Sequence, residues 1–151
     1  MTGWRSCFIA GPKDYLSQIF KVHQATVNTP PSVSQYGSIA AYHSGDDSIH
    51  EMRQAYDQRR QFLIGRFHEI GYQTLLPEGA FYLFVKVPDW FQGDDFAFCL
   101  ALAQEAKVGA VPGQSFGPGG SGYFRISYAA SLEKLAEAMN RIQAFTQEKT
   151  K

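Results

Sequence analysis

Residues 80–87, Ala-Phe-Tyr-Leu-Phe-Val-Lys-Val, are nearly all apolar and are stopped by Pro88. A run of this kind predicts a strand covered on at least one face, and on both in a layered α/β arrangement. Such a strand needs neighbours, and the residues after it supply them. Asp94 or Asp95 can cap a helix reaching Ala106, with Phe96, Cys99, Leu100 and Ala103 turned inward. Val108 to Val111 reads as a short strand, and Tyr123 to Tyr128 as another after a glycine-rich loop. Ser131 can cap a last helix whose Leu132, Leu135, Met139, Ile142 and Phe145 fall on one face. The polar residues 147–151 are expected to fray.

Upstream the spacing is helical. Trp4 to Ala10 reads as a strand ended by Gly11-Pro12, and Pro12 can open a helix carrying Tyr15, Leu16, Ile19, Phe20 and His23 on one face. Pro30-Pro31 breaks the chain, and Ser32 can cap a second helix through about Ser44. Residues 45–48 read as a turn into a long helix with a stripe of Ile49, Met52, Tyr56, Leu63, Phe67 and Ile70, stopped by Gly71. From about Ser48 onward the elements form a plausible self-sufficient α/β unit. The strand predicted at residues 4–10 has no evident sheet partner.

Composition narrows the class. A chain of 151 residues can bury roughly 70% of its unfolded surface, enough for a true core. With 14 basic and 14 acidic residues, nothing points to nucleic acid or an anionic membrane as the main ligand. Cys7 and Cys99 are far apart and spell neither a zinc nor a disulfide framework, so two reduced thiols in a cytoplasmic protein are expected. The four histidines show no metal-ligand spacing, and no apolar run is long enough to span a bilayer.

Four segments carry a resemblance to a known family: MTGWR at 1–5, IAGPK at 9–13, PEGAFYLF at 77–84 and VPGQSFGPGGSGYFRISYA at 111–129. In this order and spacing they resemble the C-terminal portion of fold-type I, pyridoxal-phosphate-dependent aminotransferases of class I/II. The pattern is nearest the bacterial aspartate, aromatic and N-acetyl-diaminopimelate branch. Ser6-Cys7-Phe8 departs from the small aliphatic pair and aromatic usual there. The resemblance implies an α/β (α+β layered) fold: residues 48–151 as the C-terminal small domain with its long interdomain helix, and residues 1–47 as the last strand and helices of a large cofactor-binding domain. It implies amino-group transfer between an L-amino acid and a 2-oxo acid.

Residue by residue, Arg5 matches the arginine that binds the cofactor phosphate, which a planar guanidinium can grip with two parallel bonds. Read without the family, it is a surface arginine at a strand end. Arg125 matches the arginine that binds the substrate α-carboxylate. It stands alone in the apolar strand Tyr123-Phe124-Arg125-Ile126-Ser127, where a guanidinium calls for an anion, either a ligand or an internal carboxylate. Phe81 lines the substrate side by resemblance, or else is an aromatic core residue. The glycines at 117, 119 and 122 formally spell G-x-G-x-x-G, but they lead into a strand rather than a helix, so no dinucleotide site is expected.

In the family motif the lysine that carries the cofactor as a Schiff base stands four residues before the methionine of MTGWR, so it is not among these 151 residues. The expectation is a truncated aminotransferase, inactive by itself, in which no residue is catalytic and the cofactor is not retained. The alternative is a stand-alone small-domain module for binding or assembly. Apolar faces on residues up to Ser44 are expected to be exposed and to favour a homodimer or higher oligomer.

Overall fold

The computed structural model describes residues 2–92 and 94–151. Met1, the first residue of the MTGWR segment, lies outside them. The chain divides into two compact units, Met1–Glu51 and Met52–Lys151.

In the first unit, α1 (Lys13–Thr26) and α2 (Ser32–Ser44) follow a short 3-10 turn at Thr2–Trp4. The strand expected at Trp4 to Ala10 does not form. Residues 6–12 belong to no regular element. A strand is defined by a hydrogen-bonded neighbour, and here side chains of α2 hold this stretch instead. Pro12 and Pro31 precede α1 and α2, each with the extended ψ a helix entry needs. Ser32 is therefore the first helical residue of α2 rather than its cap. Gly45 alone separates α2 from α3 (Asp46–Glu69), so the turn expected over 45–48 is already helix. Asp46 and Asp47 sit in its first turn, where the helix dipole favours acids.

The second unit holds the remainder of α3 and a three-stranded antiparallel sheet in the order β1 (Tyr82–Lys86), β3 (Tyr123–Ser127), β2 (Val111–Pro112). Phe84 pairs with Arg125 across β1–β3, and Val111 with Arg125 across β2–β3. Leu83, Val85, Phe124 and Ile126 share the buried face of this sheet, while Tyr82, Phe84 and Arg125 share the other, half-buried face. β1 starts at Tyr82, two residues later than expected, because Ala80 adopts a left-handed φ of 60°. β2 is displaced from 108–111. Lys107 reverses the chain at φ 55°, and Val108 plugs the core before the strand meets β3.

Helix α3 and two later helices contribute to the core on the buried face. Asp94 caps α4 (Asp95–Ala101) by accepting the Ala97 N–H at 2.8 Å, and α4 continues as a wider π-type turn over Leu102–Ala106. Its buried stripe is Asp95, Phe98, Cys99, Leu102 and Ala106. Of the inward set expected, only Cys99 is buried; Phe96, Leu100 and Ala103 face out. The buried residues follow the i, i+3, i+4, i+7 row that starts at Asp95, and the rejected ones lie on the neighbouring row. Ser131 caps α5 (Leu132–Lys149) through the Lys134 N–H, and Leu135, Met139, Ile142 and Phe145 are buried along it. Leu132 is exposed, and helix persists to Lys149 where fraying was expected. Along α3, Leu63 and Phe67 are fully buried, whereas Ile49 and Met52 are exposed.

Candidate functional site

β3 is the central strand, so Arg125 is flanked on both sides by backbone and projects from the middle of the half-buried face. Its guanidinium carbon lies 3.9 Å from the centre of the Tyr82 ring and 3.9 Å from that of Phe116. Each cation–ring contact is worth about 0.5–2 kcal/mol. The guanidinium N–H groups are five donors in a planar fork, and a ring accepts none of them as a carboxylate would. Among the described residues Arg125 has no salt bridge to a carboxylate. Arg60, Arg66 and Arg141 of the same unit each do, with Asp57, Glu69 and Glu137 respectively. The internal salt bridge that would give Arg125 a purely structural role is therefore absent among those residues.

The clamp is built from two sources. Tyr82 lies on β1, two pairs along from Phe84, on the same face as Arg125. Phe116 ends a 3-10 turn, Gly113–Phe116, and its ring meets Phe84 edge-on at 5.7 Å. That turn folds against the next one, Pro118–Gly120. A Cβ on Gly113 would stand 2.1 Å from the Gly120 carbonyl oxygen, and one on Gly120 2.0 Å from that of Gly113, so both positions require glycine. The first turn is tied to α4, where the buried Asp95 carboxylate accepts the Gln114 N–H at 2.7 Å.

Phe81 is partly exposed at the start of β1. It packs on Tyr82 at 4.6 Å and stacks with Tyr56 at 5.8 Å. Phe81, Tyr82, Arg125 and Phe116 thus form one continuous series of contacts. Beneath Phe81, the Tyr128 N–H donates to the Phe81 carbonyl and the Tyr128 hydroxyl donates to the Ala80 carbonyl, which fixes the strained Ala80.

Arg5 belongs to the first unit and is exposed. It takes a left-handed φ of 54°, which costs a non-glycine residue about 1 kcal/mol or more. Hydrogen bonds on both sides hold it there. Ser34, buried, donates from Oγ to the Trp4 carbonyl at 2.6 Å, and Ser6 Oγ lies 3.0 Å from Ser38 Oγ. No carboxylate pairs with Arg5 among the described residues. No cluster of three or more His, Cys, Asp or Glu that could hold a metal occurs among those residues either. Both cysteines are free. Burial, aided by the nearby Asp95, pushes the Cys99 thiol from 9.0 up to about 11, so it is inert as a nucleophile at neutral pH.

Tyr82, Phe116, Asp95, Ser34 and Ser38 were not singled out from the sequence as site residues. Tyr82 and Phe116 lie inside the recognised segments, but only the strand register reveals which side chains flank Arg125.

The profile of the family "Aminotransferase class I and II" matches residues 1–142. The chain belongs to this aminotransferase family. It is 38% identical over 149 residues to the probable N-acetyl-LL-diaminopimelate aminotransferase of Bacillus subtilis, covering 99% of this chain and 38% of that protein. It is also 38% identical over 152 residues to the aspartate aminotransferase of Pyrococcus abyssi, covering 99% of this chain and 39% of that one. The crystal structure of an aromatic aminotransferase from Pyrococcus horikoshii superposes with a TM-score of 0.93 at 37% identity, over 99% of this chain and 40% of that one. The chain therefore has the mixed helix-and-sheet architecture of fold-type I aminotransferases, and it spans about two fifths of the length of these relatives.

Proposed function

We propose that these residues form the substrate-carboxylate and cofactor-phosphate anchors of a pyridoxal-phosphate-dependent transaminase acting on an L-amino acid and a 2-oxo acid. The observation that carries this reading is the guanidinium of Arg125, in contact with two aromatic rings and paired with no carboxylate among the described residues. Arg125 binds the α-carboxylate in the guanidinium plane and so orients the amino group. Phe81 excludes water beside it. Arg5, strained and pinned through Trp4 and Ser6, holds the cofactor phosphate. When bound, the cofactor supplies the electron sink for bond-breaking at the amino-acid α-carbon.

In this reading the residues divide as the notional domains do, 1–47 with the cofactor domain and 48–151 as the small domain. The 151 residues are inactive by themselves and do not retain the cofactor, because the cofactor-binding lysine is not among them. The full enzyme is cytoplasmic and forms a homodimer or higher oligomer. Exposed Phe8, Phe20, Tyr36 and Tyr42 in the first unit favour such association.

The test is Arg125→Leu in the full-length, cofactor-loaded enzyme. Losing one partner of a charged pair costs about 2–5 kcal/mol, so kcat/KM for glutamate should fall about thirtyfold or more. Arg125→Lys should recover only part, since an ammonium keeps the charge and loses the two-pronged geometry. Undiminished kcat/KM in the leucine variant would refute the assignment. Amino-group transfer by the 151-residue chain alone, given cofactor and glutamate, would refute the predicted inactivity.

A further inference from the structure

We propose that Asp95 is a positioning residue for the substrate carboxylate, acting through the Gln114 N–H and the Phe116 ring on Arg125. The inference rests on the reading of Arg125 given above and extends it to a residue on the far side of the loop.

Asp95 is only 2% exposed, which is unusual for a carboxylate. Asp94 already caps α4, so Asp95 is not needed for that task. Its Oδ2 instead reaches 19 residues along the chain to the Gln114 N–H at 2.7 Å. A charge-assisted bond of that length is about twice as strong as a neutral one. Gln114 is the second residue of the four-residue turn that ends in Phe116. The turn cannot drift the other way, because Gly113 and Gly120 already touch backbone to backbone. Asp95 on one side and the glycine contact on the other therefore fix where the Phe116 ring stands. That ring centre lies 3.9 Å from the Arg125 guanidinium carbon and so limits where the guanidinium can stand. Two-pronged recognition of a carboxylate depends on that placement, so a carboxylate buried in α4 governs the binding of another at Arg125.

The experiment uses the full-length, cofactor-loaded enzyme with glutamate as probe, and reads two quantities. One is KM against kcat. The other is the Nε–H resonance of Arg125, which the Phe116 and Tyr82 rings displace by their ring currents. Asp95→Ala should raise KM about tenfold with kcat changed less than threefold, and should move the Arg125 resonance toward that of free arginine. Phe116→Leu should move both readouts in the same direction. Asp95→Asn, which keeps an oxygen for the same N–H, should lie nearer the wild type than Asp95→Ala. Wild-type KM and resonance in Asp95→Ala overturn the proposal, even with a lowered melting temperature, since that result describes a merely structural residue. Should Asp95→Ala not fold, Phe116→Leu decides, and wild-type values there overturn the proposal too. Arg125→Leu is measured alongside. If it leaves KM and kcat/KM unchanged, the reading of Arg125 has failed; if it impairs them while the Asp95 and Phe116 variants do not, only the present inference has.

Discussion

The two units of this chain handle their apolar residues in opposite ways. Among the described residues of 52–151, eighteen hydrophobic side chains form one buried cluster, from Leu63 and Phe67 on α3 to Phe145 on α5. In residues 1–51 the one buried side chain among the described residues is Ser34, while Phe8, Ile9, Tyr15, Phe20, Tyr36 and Tyr42 are all more than half exposed. Both units have well-formed helices, so helix formation is no measure of self-sufficiency. What differs is whether the apolar stripe of each helix meets another element of the same unit. The second unit satisfies its own stripes, and the first displays them.

The largest effect that would sharpen this contrast is at Phe98, fully buried and ringed by Tyr72, Phe91, Phe124 and Phe145. Phe98→Ala should cost about 3–5 kcal/mol of stability in denaturant unfolding. A loss below 1 kcal/mol would mean the core is far looser than its packing implies.

A smaller effect comes with alkali. Burial raises the Tyr72 hydroxyl from 10.0 to about 12, moderated by its bond to Thr146, and raises the Cys99 thiol from 9.0 to about 11. Burial also shifts Tyr128 upward. For each group the unfolded chain releases its proton first. Their contribution is therefore intact below pH 9 and is lost as pH rises through 9–12, at up to about 1.4 kcal/mol per pH unit for each group in its own window. Unfolding followed by near-ultraviolet dichroism should show this decline, and Cys99→Ala should delay its onset by about one pH unit. A flat profile from pH 9 to 12 would contradict the burial of these groups.

The smallest effect is expected in the first unit. Phe20 is 59% exposed, and Phe20→Ser should change stability by less than about 0.5 kcal/mol. The same substitution should lower the sedimentation coefficient if exposed apolar faces drive association. A cost of 2 kcal/mol or more without a change in sedimentation would erase the distinction between the units.

The places where the sequence misled share a physical cause. α3 and α5 were legible because long periodic stripes declare a helix, and Gly71 and Ser131 mark the ends they were expected to mark. The strand expected at Trp4 to Ala10 had the right residue types, but a strand exists only with a partner, and pairing is not a local property. The inward face of α4 was misread because in so short a helix two adjacent rows are nearly equally apolar, and Asp95 rather than hydrophobicity chooses between them. Motif recognition singled out Arg125 and Phe81 as candidates, whereas Tyr82 and Phe116 come to lie beside the arginine through strand register and loop closure.

The ring clamp has a consequence for the thermodynamics of recognition. Arginine is among the side chains with the most rotamers to lose, about 2 kcal/mol of entropy in full. A ligand that must freeze such a side chain forfeits about 0.5–1.5 kcal/mol of its affinity. With its guanidinium carbon 3.9 Å from the centres of both rings, Arg125 has less of that freedom to lose than an unconfined arginine. Under the proposed function, a carboxylate docking there would freeze less of the arginine, so association should show a smaller entropic penalty than at a mobile arginine.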